Sequence, residues 1–222
     1  GSNTKTSFNQ GFCYRCFQTL ARNDQCVMNP HLCHFAQGTC REPEWGMAHC
    51  MQPHLVYLAW SSNLKVGITK PSQIPTRWLD QGATSACIIA EVQSRYHAGL
   101  IEEYLKQYYK DRTNWRKMLA GEEEGVDMIA EAKQAQQYIE ASGLAKEVLE
   151  HTHLPEPKRH AFEYPDGEIG PIKSLNLEKL GTVTGHLLGM KGQYLLLDTG
   201  VINLRKYTQY HVEMRIKSAF ED

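Results

Sequence analysis

Apolar and polar positions alternate in two short runs near residue 60. The first is His54–Trp60 and the second is Leu64–Thr69, with Ser61-Ser62-Asn63 between them. Period two and β-rich composition predict two strands joined as a hairpin. Val56, Leu58, Val66 and Ile68 then face a core, and Tyr57 and Lys65 share the other surface. A third strand is expected over 86–92. Pro75 suits the first turn of a short helix over 76–81, which Gly82 can close. Residues 99–109 carry apolar side chains at helical spacing, and a longer helical stretch is expected over 122–150. Further on, 181–188, 193–197 and 201–207 read as strands of a small antiparallel unit, and 211–216 as one more. Prolines at 155, 157, 165 and 171 mark 151–171 as a linker or an irregular wrap.

These elements predict an α+β chain in three parts. Residues 1–53 form a cysteine-rich segment, 54–150 a small sheet with helices and a helical extension, and 151–222 a linker plus a small antiparallel β domain. The 222 residues are 41% hydrophobic and 22% charged, a globular composition. No apolar run approaches the roughly 20 residues that span a bilayer, and no export signal is evident. A cytoplasmic protein without a membrane partner is the expectation.

The net charge of -1 conceals an uneven distribution. Residues 54–121 carry nine basic and five acidic side chains, whereas 122–171 carry four and twelve. A polyanion would find a local basic surface but no bulk attraction.

Six of the seven cysteines fall in the first fifty residues: Cys13, Cys16, Cys26, Cys33, Cys40 and Cys50. The odd total and the missing export signal argue against a disulfide framework. Thiolates clustered in a turn-rich segment point to structural zinc, which loops can hold without a large core. Cys13 and Cys16 have the spacing of a half-site. Cys26, Cys33, Cys40 and Cys50 can make a complete one, and His31, His34 and His49 could substitute. Buried, reduced thiols are the plainer alternative.

The middle segment resembles the GIY-YIG nuclease superfamily over about 65 residues. Val56-Tyr57-Leu58 stands at the Gly-Ile-Tyr strand and Lys65-Val66-Gly67 at the Tyr-Ile-Gly strand. Arg77 matches the family arginine, Glu102 the metal-binding glutamate, and Asn114 follows at a spacing similar to that of the excision-repair members. The chain resembles still more closely an uncharacterised bacterial family built on such a core with a cysteine-rich start. That likeness extends to Lys65–Thr69, 77–83, 113–116 and the Gly192-Gln193-Tyr194 turn. It also implies a further Cys-x-x-Cys upstream, which would leave Cys13 and Cys16 short of partners. Two positions depart from the superfamily: Lys65 replaces the second tyrosine, and the first motif lacks its glycine.

The resemblance implies metal-dependent phosphodiester hydrolysis, for which the residue types are suited. Glu102 offers a carboxylate to magnesium or manganese. Arg77 offers a permanent bidentate cation to phosphate. Tyr57 or Lys65 could orient or deprotonate water, the lysine only if its pKa is lowered. Asn114 could order the surroundings of Glu102, or simply cap a helix. A degenerate core that binds nucleic acid without cutting it is the competing expectation, with Arg95, Lys106, Lys110, Arg112, Arg116 and Lys117 tracking phosphates. Tyr108, Tyr109 and Trp115 could then stack on bases. A scaffold whose acidic 122–150 helix docks a protein partner is the third.

Overall fold

The computed structural model describes residues 7–9, 11–110, 113–121, 125–165 and 170–217. Arg112 and the expected helical start at 122–124 lie outside the described residues. The N-terminal segment has three short helices, α1 (Tyr14–Thr19), α2 (Gln25–Met28) and α3 (Pro43–His49), separated by 3-10 turns. It buries few apolar side chains.

The central sheet begins with the expected hairpin, β1 (His54–Trp60) and β2 (Leu64–Thr69). Their register pairs Tyr57 with Gly67 and Ala59 with Lys65, so Tyr57 and Lys65 are diagonal neighbours on one face. Then come α4 (Thr76–Asp80), β3 (Ser85–Val92), α5 (Arg95–Leu105), α6 (Trp115–Ala120), α7 (Met128–Glu140) and α8 (Lys146–Glu150). Two-residue strands β4 (Thr152–His153) and β5 (His160–Ala161) pair with β3. The strands run antiparallel in the order β2-β1-β3-β4, with β5 also on β3.

Both faces of this sheet are covered. Val56, Leu58, Val66, Ile68, Cys87 and Ile89 meet α5 and α7 on one side. The opposite face carries Tyr57, Ala59 and Ala86 beneath Trp78 of α4. β1 is consequently buried along its whole length. The proline-rich stretch is a wrap: His160 and Phe162 pack on Trp78, and Tyr164 donates to the carbonyls of Leu79 and Ala83.

Several boundaries differ from the sequence expectation for local reasons. Helix α5 starts at Arg95, four residues early, because Ser94 caps it by accepting from the His97 amide. It ends at Leu105, and Tyr109 instead sends its hydroxyl to the Glu131 carbonyl. The 122–150 stretch is two helices, broken where Gly143 has positive φ. After α9 (Leu177–Leu180), the strand expected over 181–188 begins only at Leu187, in β6 (Leu187–Lys191). The sheet continues with β7 (Tyr194–Leu197) and β8 (Gly200–Asn203). The expected strand 201–207 stops there and turns into a 3-10 helix, Leu204–Tyr207, capped by Asn203. Residues 211–216 form no strand. This second sheet, ordered β6-β7-β8, packs through Leu196 and Val201 on Met118 and Leu119 of α6.

Candidate functional site

Tyr57 and Lys65 lie on the sheet face covered by α4, the helix that bears Arg77, whereas Glu102 belongs to α5, which packs on the opposite face. Gly67 makes room for Tyr57. A Cβ at this position would lie 2.7 Å from Oη of Tyr57, so the phenol lies across bare backbone. Gln81 Nε2 donates to that hydroxyl at 2.7 Å. Burial raises the Tyr57 pKa, against the opposing charge of Arg77 and the Gln81 hydrogen bond. Tyr57 is fully buried, so forming a phenolate there is costly.

Lys65 is 6% exposed and donates through Nζ to Thr113 Oγ1 at 2.7 Å. Burial, then the neighbouring charge of Arg77, pulls its pKa down to about 8. Arg77 itself has no carboxylate within ion-pair distance among the described residues. Glu102 projects from α5, and burial raises its pKa against the charges of Lys106, Arg95 and Arg77. Among the described residues its carboxylate has no hydrogen-bond or ion-pair partner; the nearby Lys106 pairs instead with Glu103 at 2.9 Å. Glu102 is half-buried, and a carboxylate oxygen is the kind of donor that magnesium or manganese accepts.

Asn114 sits outside this group. Its Oδ1 accepts from the Arg116 and Lys117 amides, capping α6. Its own amide donates to Ser62 Oγ at 2.9 Å. Its link to the site runs through its neighbour Thr113, which holds Lys65.

The expected basic track divides. Arg95 is an internal tie, donating through Nη2 to the Val27 carbonyl at 2.6 Å. Lys106 pairs with Glu103, and Lys110, Arg116 and Lys117 remain exposed. Of the aromatics, Tyr109 is buried and Tyr108 stacks on Tyr138 at 3.9 Å. Trp115 stacks on Tyr194 and has the Arg116 guanidinium 4.3 Å from its ring centre.

The N-terminal cysteines also divide. Cys26, Cys33, Cys40 and Cys50 line one small cavity with Asp24 and His34. Asp24, Cys26 and His34 bring their donor atoms within 4.8 Å of one another and could hold a metal ion. Asp24 also takes Arg41 Nε at 2.8 Å. Burial, then the charge of Asp24 and the other three thiols, raises Cys26 to about 11. Mutual repulsion of this kind is what a bound cation relieves. Sequence reasoning missed Asp24. Its only signal was an acidic residue two places before a cysteine, which is too common to single out.

Of the proposed substitutes only His34 joins the cluster. His31 Nδ1 lies 3.5 Å from Glu103, and His49 stacks on Trp45. Cys13 and Cys16 do not line the cavity. They contact each other, and that hydrogen bond, followed by burial, raises the Cys16 pKa.

The segment and the helix bearing Glu102 are joined closely. Pro30–Leu32, between Cys26 and Cys33, lies on α5 at Gly99, where a Cβ would come within 2.5 Å of Pro30 Cβ. The architecture is thus a mixed α+β chain with two antiparallel sheets and a possible metal cluster near its start. It belongs to the family described as "Protein of unknown function (DUF2797)", whose model matches residues 1–212. No curated protein and no solved structure matches the chain. No helix among the described residues is long and apolar enough to cross a membrane.

Proposed function

We propose that this chain is a GIY-YIG-type protein that hydrolyses nucleic-acid phosphodiesters with a divalent cation. One observation carries the reading: Tyr57 and Lys65 are diagonal neighbours on the sheet face under the helix that bears Arg77, whose charge is felt at both and, behind those of Lys106 and Arg95, at Glu102. Glu102 would hold magnesium or manganese, which supplies polarisation of the phosphate and a more acidic water. Arg77, without a carboxylate partner among the described residues, would hold the developing negative charge on the phosphate oxygens. Lys65 is the better base, since a pKa of about 8 leaves a useful neutral fraction near neutrality. Tyr57, buried and held by Gln81, positions these groups without ionising. Asn114 acts one step removed, by fixing the chain next to Thr113.

The same full burial of Tyr57, with Lys65 where the motif has tyrosine, favours a second reading: nucleic-acid binding without cleavage. Labelled single- and double-stranded DNA and RNA, incubated with magnesium or manganese and with chelator, separate the two. We expect metal-dependent cleavage that falls at least about 100-fold in Glu102→Gln and in Arg77→Ala. Binding without cleavage, identical in wild type and Glu102→Gln, would leave only the second reading.

In the N-terminal segment, Cys26, Cys33, Cys40 and Cys50 would hold one structural zinc, with Asp24 and His34 beside it. Soft thiolates are preferred over a carboxylate already engaged by Arg41. Elemental analysis should find about one zinc per chain, lost in Cys33→Ser and kept in Asp24→Asn. The reverse pattern would assign the ion to Asp24, Cys26 and His34.

A further inference from the structure

Strand β3 carries one extra residue opposite the Val56/Tyr57 step of β1. Such a bulge re-aims side chains. Ile89 and Ala90 both turn into the core beneath α5 and α7, which leaves Ile88 and Glu91 on the Tyr57 face. Ile88 is the cross-strand partner of Tyr57, and Glu91 that of Leu55. Between these strands and the 71–74 connection lies an open cavity of about 400 Å³, lined by Pro53, Leu55, Pro71, Ile74, Ile88 and Glu91. Leu55 is two residues from Tyr57 along β1, roughly 7 Å away. The cavity therefore lies beside Tyr57, which does not itself line it. Lys70 precedes Pro71, and its charge is felt at His54, which also borders the cavity.

We propose that this groove is a nucleobase subsite that takes an unstacked base bearing an exocyclic amino group, cytosine first among them. The proposal rests on the nucleic-acid reading above and names the part of the substrate next to the reacting phosphate. Apolar walls suit the flat face of a base. Glu91 is exposed and, when ionised, can only accept hydrogen bonds. A carboxylate on the rim pairs with the amino group of cytosine and opposes the carbonyl oxygen that thymine or uracil offers at the same edge. A purely apolar occupant would offer this carboxylate no donor.

The test follows the methyl signals of Leu55, Ile74 and Ile88 in the full chain during titration with deoxycytidine and thymidine monophosphates, without divalent metal. We expect all three to shift with the cytosine nucleotide, at an affinity at least fivefold above that for thymine. Glu91→Gln should erase the preference, and Ile88→Trp, which fills the groove, should remove the shifts. Silent methyls with every nucleotide, or equal affinities insensitive to Glu91→Gln, would overturn the subsite. So would an apolar peptide that shifts the methyls when nucleotides do not. If the subsite fails while Glu102-dependent cleavage of DNA or RNA persists, only the base assignment is lost. If both fail, the nucleic-acid reading falls with it.

Discussion

The cysteine-rich segment and the central sheet hold their shapes by different means. The sheet hides Val56, Leu58, Ile89 and Ile101 on one face and Tyr57 and Trp78 on the other. The segment has almost no such packing. Its helices are four to seven residues long, none of the three is capped by a side chain, and four cysteines line one small cavity. A part built this way depends on whatever neutralises those thiols, whereas the sheet depends on apolar burial. The two meet at Gly99 and Arg95.

Five outcomes would break or sharpen the contrast. The largest is expected from chelation. Withdrawing metal should abolish amide protection over 20–50 while leaving β1 and β3 protected, as read by hydrogen exchange. Retained protection in the segment would mean that it is held otherwise. Next, Trp78→Ala should cost about 3–5 kcal/mol in denaturant unfolding without changing zinc content. Coupled loss of both would show that the two parts fold as one.

At the seam, Gly99→Val forces a side chain into Pro30. About 1–3 kcal/mol of destabilisation is expected, with 28–33 becoming protease-sensitive first. His54, beside the same seam, has its pKa lowered to about 4 by burial, despite the hydrogen bond to the Gln52 carbonyl. The unfolded chain takes up this proton near pH 6.5 and the fold only near 4, so stability should fall as pH drops through that window. His54→Gln should flatten the slope of unfolding free energy against pH. The smallest effect is Asn114→Ala, about 1 kcal/mol from the lost cap of α6. Under the proposed nuclease reading, cleavage should change little in this variant if Asn114 serves only as a cap.

How much the sequence disclosed follows the same division. The hairpin, β3 and the helix bearing Arg77 were legible because alternation and turn residues are local signals. Period two allowed Tyr57 and Lys65 to share one face, and the register that places them there comes from the structure. The cover over that face was not legible, because Trp78, His160 and Phe162 arrive from separate stretches of chain. Nor was the bulge in β3, since one extra residue leaves no mark in an already apolar run. In the segment, cysteine density announced the chemistry. The split of four thiols from Cys13 and Cys16, and the arrival of Asp24, depend on loop geometry that spacing alone does not encode.

The bare backbone at Gly67 bears on how such signatures are interpreted. Its glycine is a parking space for the phenol ring of Tyr57, and any larger residue would evict that ring. A lineage with no nuclease activity at all could still retain this dipeptide step for steric reasons. Persistence of the glycine is therefore no badge of an active enzyme; the fate of Glu102 and Arg77 is the better diagnostic.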